Sequence, residues 1–440
     1  MATWLNVWEP ERADFWQSAG SKIAWRTLTI TTATLVLSFA TWFMMSAIVV
    51  RLPNIGFQFD TMQLFWLAAM PGLAGGTLRI IHTFLIPIFG TRTVITIATF
   101  LKLLPCLGIG FAVMNPETPF WIFMVLALSA GFGGGDFSSY MPSTSLFFPK
   151  RLQGTALGIQ AGVGNFGVSL AQFVTPWIIG FAVFGTLAGA PQTFTKGEVT
   201  KPLWLQNAAF WYVPLLVLLG LLAWRQLRSV PIKASFRQQL DIFSNKHTWL
   251  MTLLYIMTFG SFSGFSAAFP LLIKSLYGQF PDAPDPLRYA FLGPLVGSTI
   301  RVVMGPPSDK WGGAIFTHIS GIGLLGCAIA VTFFTTPSSM ASFPAFVWCM
   351  LGLFLFSGIG NASTFRQIPV IFEPRQAGGV LGWTGAIAAY GPFIFSTLIG
   401  VVLTKTGNPN LFFYGAALFY LLNIGINWWF YQRRGAEKPC

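Results

Sequence analysis

The chain has 440 residues, of which 54% are hydrophobic and 9% charged, and its mean hydropathy is +0.65. A soluble domain carries about 25% charged residues, so a water-soluble fold is excluded and a polytopic membrane protein is expected. The formal net charge of +13 does not point to nucleic acid, because the basic residues fall in short segments between apolar runs, the charge pattern of membrane proteins.

Crossing a ~30 Å hydrocarbon layer takes about 20 helical residues. Residues 1–27 are polar and amphipathic, without a basic-then-apolar signal peptide, and read as a cytoplasmic segment at the membrane surface. Twelve long apolar runs follow, at 28–50, 62–86, 93–113, 119–147, 153–184, 206–224, 248–273, 288–308, 314–334, 342–371, 378–404 and 410–431. Residues 185–205 are a Gly/Thr/Lys loop. A basic linker at 225–247, with Arg225, Arg228, Lys233, Arg237 and Lys246, separates a half at 28–224 from a half at 248–432, leaving a tail at 433–440. The outer loops hold only Arg51, Lys196, Lys201, Lys274, Arg288 and Lys405. The remaining loop Lys and Arg lie on the other side, which places both termini in the cytoplasm and the protein in the cell inner (plasma) membrane.

The two halves echo one another. PGLAGGTLRIIHTFLIPIFGTR (71–92) matches PLVGSTIRVVMGPPSDKWGG (294–313), aligning Arg79 with Arg301, each followed eleven residues later by a glycine, Gly90 and Gly312. RLQG…LG at 151–158 is echoed by RQAG…LG at 375–382. The fold expected is an all-α membrane protein of twelve transmembrane helices in two pseudo-symmetric six-helix halves, the plan of a secondary transporter with its site near the midplane. No GxxxxGK[ST] loop is present to bind ATP. Four scattered cysteines suggest neither a disulfide nor a metal site, and no cofactor motif or redox ligand set supports an enzyme.

A cation at the bilayer centre costs roughly 3 kcal/mol or more, so Arg79 and Arg301 need partners. Of thirteen acidic residues only Asp136 is central in a run. One carboxylate cannot neutralise both arginines and Lys102, which leaves uncompensated positive charge for a small anion. Guanidinium offers a planar fork of donors that suits a planar oxyanion. Asp136 and Lys102 stand at similar depth, so Asp136 reads either as their ion pair or as a proton carrier. His82, one turn after Arg79, reads either as a packing residue or as a proton relay. Arg366 lies near the inner end of the tenth run, where it can snorkel. Glycines in AGVGNFGVSLAQ (161–172), GGGDF (133–137) and SGIGNASTF (357–365) permit close helix packing, and Asn165 within the first needs a hydrogen-bond partner.

GPPSDKWGG (305–313) resembles the GxxxDRxGRR loop of the major facilitator superfamily, and makes Gly305, Asp309 and Gly312 its gating positions. The first-half counterpart, IPIFGTR, lacks the acid. GVGNFGVSLAQ, GIGNASTFRQIPVIF, LLYIMTFGSFSGFSAAF and FWQSAGSKIAWRTL resemble the nitrate/nitrite porters of the NarK type, over nearly the whole chain. The resemblance implies an anion held between Arg79 and Arg301, an aromatic clamp of Phe137 and Phe259 with Tyr255 beside it, and a moving signature at Asn165 and Gly164. A flat slot would also exclude tetrahedral anions. The short 373–377 loop and the titratable groups Lys102, Asp136 and His82 resemble the proton-coupled, type I branch. The function expected is import of nitrate by alternating access, with protons as co-substrate. Nitrate/nitrite exchange on the same site is the alternative, and an anion channel or nitrate sensor a reading of a different class. Its partners would be nitrate, nitrite, protons and the lipid bilayer, with the protein a monomer.

Overall fold

The computed structural model describes residues 4–231 and 236–440. Lys233 of the linker and residues 1–3 of the N-terminal segment lie outside the described residues. Among the described residues, ten helical segments are long and apolar enough to cross a membrane: α1 Ala13–Ile48, α2 Thr61–Phe89, α3 Thr91–Ala112, α4 Phe120–Phe147, α6 Asn207–Gln226, α7 Lys246–Tyr277, α9 Gly313–Phe334, α10 Met340–Ile371, α11 Gln376–Thr406 and α12 Asn410–Gln432. Two passes that are less apolar complete the twelve. They are α5, Lys150–Ile178, and α8 at 287–311, assembled from Leu287–Ala290, Leu292–Val303 and Gly305–Trp311.

The two halves meet mainly where α1 and α2 pack on α7, α2 on α11 and α5 on α8. Small residues allow the closest approaches. A Cβ on Gly72 of α2 would lie 2.5 Å from the Phe393 backbone nitrogen of α11. The repeat is visible in packing as well as in sequence, since Gly75 backs onto Trp42 in the first half and Gly297 onto Phe262 in the second. Gly90 and Gly312 end the two arginine-bearing helices with φ of +79° and +92°, a backbone that only glycine adopts without strain. That requirement explains the shared spacing from each arginine.

The structure departs from the sequence expectation at two places. Residues 185–205 are not simply a loop: β1 Gln192–Lys196 pairs antiparallel with β2 Val199–Leu203, so the described residues are helical with one small hairpin on the side away from the linker. Phe194 anchors this hairpin, buried between Arg51 and Lys201. The N-terminal segment, expected at the membrane surface, also packs against the helices. α1 begins at Ala13, and Trp8, Trp16, Ala24 and Leu28 form an apolar cluster with Phe147 and Phe148 at the end of α4. The Trp8 indole donates to the Leu146 carbonyl at 3.0 Å, and Glu11 accepts from the Lys150 amide at 2.9 Å.

Candidate anion-binding site

Arg79 is fully buried on α2. Its Nε donates to the Gly134 carbonyl of α4 and its Nη1 to the Gly385 carbonyl of α11, both at 2.8 Å. The second of these bonds crosses between the halves. The guanidinium carbon lies 4.8 Å from the Phe137 ring centre and 5.1 Å from those of Phe259 and Trp42, so aromatic faces take the place of a carboxylate. Nη2 has no hydrogen-bond partner among the described residues.

Arg301, on α8, is 6% exposed. Its Nη2 donates to the Tyr255 hydroxyl at 3.4 Å, a long bond, and its carbon sits 5.2 Å from the Phe365 ring centre. Nη1 lacks a partner among the described residues. Four rings join the two arginines. Tyr255 stacks on Phe259 at 5.4 Å and 6°, Phe365 lies 4.7 Å from Tyr255, and Phe137 lies 6.2 Å from Phe365. Two guanidinium groups with unused donors therefore border one apolar cluster, and no described carboxylate pairs with either.

A cavity of about 890 Å³ leads to this cluster from the linker side and is lined in part by Phe137, Arg301, Asn361 and Phe365. Asp241 and Asp309 stand at its mouth with Arg366, whose Nε binds Asp309 at 2.6 Å. The hairpin side is closed between the halves. Arg51 pairs with Asp285 at 2.6 Å, Lys274 donates to the Val50 carbonyl at 2.6 Å, and Gln172 donates to the Ser266 carbonyl at 2.8 Å.

The profile of the family described as "Major Facilitator Superfamily" matches residues 30–370. A protein of Thermus thermophilus named "Probable nitrate/nitrite antiporter NarK2" is 64% identical over 100% of this chain and 98% of its own length. "Nitrate/nitrite transporter NarU" of Salmonella typhimurium is 41% identical over 99% of this chain and 97% of its own. The chain belongs to the nitrate/nitrite porters of the major facilitator superfamily. Among solved structures, a bacterial homologue of the lysosomal transporter Spinster, inward-facing and occupied, aligns with a TM-score of 0.66 at 14% identity, over 91% of this chain and 95% of that one. At that identity the likeness concerns the fold.

The other residues singled out from the sequence fall into three groups in this porter. Lys102 and Asp136 form an ion pair, both fully buried. Asp136 also accepts from Ser38 at 2.5 Å, and Lys102 donates to the Ala98 carbonyl at 2.9 Å. His82 contacts the Ser139 hydroxyl at 3.0 Å and stands 3.9 Å from Asp136. None of the three lines the cavity. In the second group, Asn165 is fully buried with both amide atoms unpartnered among the described residues, whereas Gly164 lies against Leu35 as a helix-packing residue. In the third, Gly305 and Asp309 line the cavity mouth and Gly312 makes the turn that follows. Phe365 and Trp42 went unrecognised in the sequence. With 45 phenylalanines and 17 tryptophans in the chain, composition cannot select them. The available signal for Phe365 was its place in SGIGNASTF, one turn beyond a buried asparagine.

Proposed function

We propose that the protein moves nitrate across the inner membrane by alternating access, with the anion held between Arg79 and Arg301. The observation that carries this reading is the pair of buried arginines, each with an unused Nη donor, bordering one aromatic cluster at the end of a cavity closed on its other side. Buried cationic donors without a carboxylate call for an anion. Flat apolar walls and in-plane forks favour a planar monoanion over a tetrahedral one. The names of the relatives agree with that chemistry. The Lys and Arg distribution makes the linker side cytoplasmic, so the open cavity faces inward and both termini lie inside. A single chain holds every residue of this site, consistent with a working monomer.

For coupling we favour exchange of nitrate against nitrite. Monoanion exchange moves no net charge, whereas nitrate entering alone works against about 2.3 kcal/mol per 100 mV of inside-negative potential. Asp136 is engaged by Lys102 and Ser38 and lies away from the cavity, which suits a structural pair. Proton symport is the second reading, supported by His82 standing between Arg79 and that carboxylate in sequence and 3.9 Å from it in space. Purified protein in liposomes loaded with a pH dye separates the two. Uptake of external nitrate that requires internal nitrite and leaves the pH unchanged is expected. Acidification inside, driven by nitrate alone, would overturn exchange in favour of symport. Absence of nitrate movement under both conditions would overturn the function itself.

A further inference from the structure

We infer that Asn361 donates to the third oxygen of a trigonal anion and so sets the preference for nitrate over the bent nitrite ion. The inference rests on the nitrate reading above. Asn361 lies on α10, is fully buried, and lines the cavity with Arg301 and Phe365. Neither Nδ2 nor Oδ1 has a hydrogen-bond partner among the described residues. A buried amide left without partners is costly, and few native structures retain many. Asn165 has the same unpartnered amide but lies outside the cavity lining.

Helix register puts Asn361 at the depth of Arg301. α8 and α10 run in the same direction and touch where Gly358 meets Gly297, since a Cβ on Gly358 would lie 2.4 Å from the Gly297 carbonyl oxygen. Arg301 follows Gly297 by four residues and Asn361 follows Gly358 by three, about one turn in each helix. Phe365, another turn along the same face of α10, carries the ring beneath Arg301.

The contrast with the buried carboxylate of α4 shows why this amide is free. Asp136 is consumed by Lys102 and Ser38. Asn361 is neutral, so no cation is needed beside it and its NH₂ remains available. Arg79 Nη2 and Arg301 Nη1 supply donors for two oxygens of a flat anion, and the amide supplies one for the third. Nitrite has only two oxygens and is satisfied by the arginines. A site built to hydrogen-bond a group discriminates against a ligand that lacks it more strongly than an apolar pocket does.

Calorimetric binding of nitrate and of nitrite to the purified full-length protein tests this. Asn361→Ala should weaken nitrate binding about 10-fold, the scale of one lost hydrogen bond in a buried site. Nitrite binding should change by less than about 2-fold, because the arginine contacts are untouched. Asn361→Ser, which keeps a short donor, should recover part of the nitrate loss, and it carries the same comparison if the alanine variant does not purify. Equal losses for the two anions, or no loss for either, would overturn the assignment. Wild-type protein that binds neither anion would overturn the nitrate reading first, and this one with it.

Discussion

The two halves place an arginine at matching positions but hold it differently. Arg79 is spent on two backbone carbonyls and wedged among four rings, with one nitrogen left over. Arg301 faces the cavity, with a single long bond to Tyr255. The difference extends to the neighbouring helices. The first half carries a buried ion pair, Lys102 with Asp136, whereas the second buries the neutral Asn361 beside the cavity. A repeat thus supplies two similar scaffolds, and side chains specialise them. The first half is the fixed wall, tied to the second through Gly385, while the second half holds the looser donors.

The largest effect expected is at the fixed wall. Lysine cannot reach two carbonyls and an anion together, so Arg79→Lys should weaken nitrate binding by more than about 100-fold. Arg301→Lys keeps a charge at an open cavity and should cost about 10-fold. Nitrate titrations of the two purified variants measure both, and equal losses would erase the distinction between the halves.

Next in size is the ion pair. Asp136→Asn leaves Lys102 buried and unpaired, which should destabilise the first half by roughly 3–5 kcal/mol. Adding Lys102→Met should recover most of the lost melting temperature. If the double variant is no more stable than the single one, the pair has a role that burial does not explain.

A smaller change is expected at the closed side. Arg51–Asp285 is a partly exposed pair, at 11% and 29%, of a kind worth about 0.2–1 kcal/mol. Asp285→Asn should favour opening toward the hairpin side and lower the external half-saturating nitrate concentration by no more than about 5-fold. An unchanged value would mean that Lys274 and the helix contacts keep that side shut without it.

The smallest effect concerns the tail beneath the second half. A hydrogen bond from Lys246, aided by one from His247, holds the Glu437 carboxyl below its ordinary value of 4.5. A depressed carboxyl contributes stability that is present above its unfolded pKa and lost as pH falls through the folded one. The melting temperatures of wild type and Glu437→Gln should therefore differ at neutral pH and converge as pH falls through the depressed pKa of that carboxyl. A constant difference across that range would remove the tail carboxylate from the account.

Much of this was legible in the chain itself. Twelve apolar runs, a central basic linker and repeated arginine stretches determined the architecture, because a bilayer imposes length and apolarity on each span independently of its neighbours. The cost of burying charge likewise made Arg79, Arg301, Lys102 and Asp136 stand out, since so few ions occupy the spans. The sequence also determined Gly90 and Gly312, whose backbone no other residue adopts easily. What it left open concerns contacts between distant segments. Asp136 was either paired or available until the structure set it against Lys102 and Ser38. Arg79 reaching Gly385 across 306 positions, Phe365 lying beneath Arg301, the unpartnered amide of Asn361 and the closure by Arg51 and Asp285 are decided only in three dimensions. Periodicity reports which face of a helix is apolar, but which ring or carbonyl lies opposite depends on how α2, α8, α10 and α11 pack together.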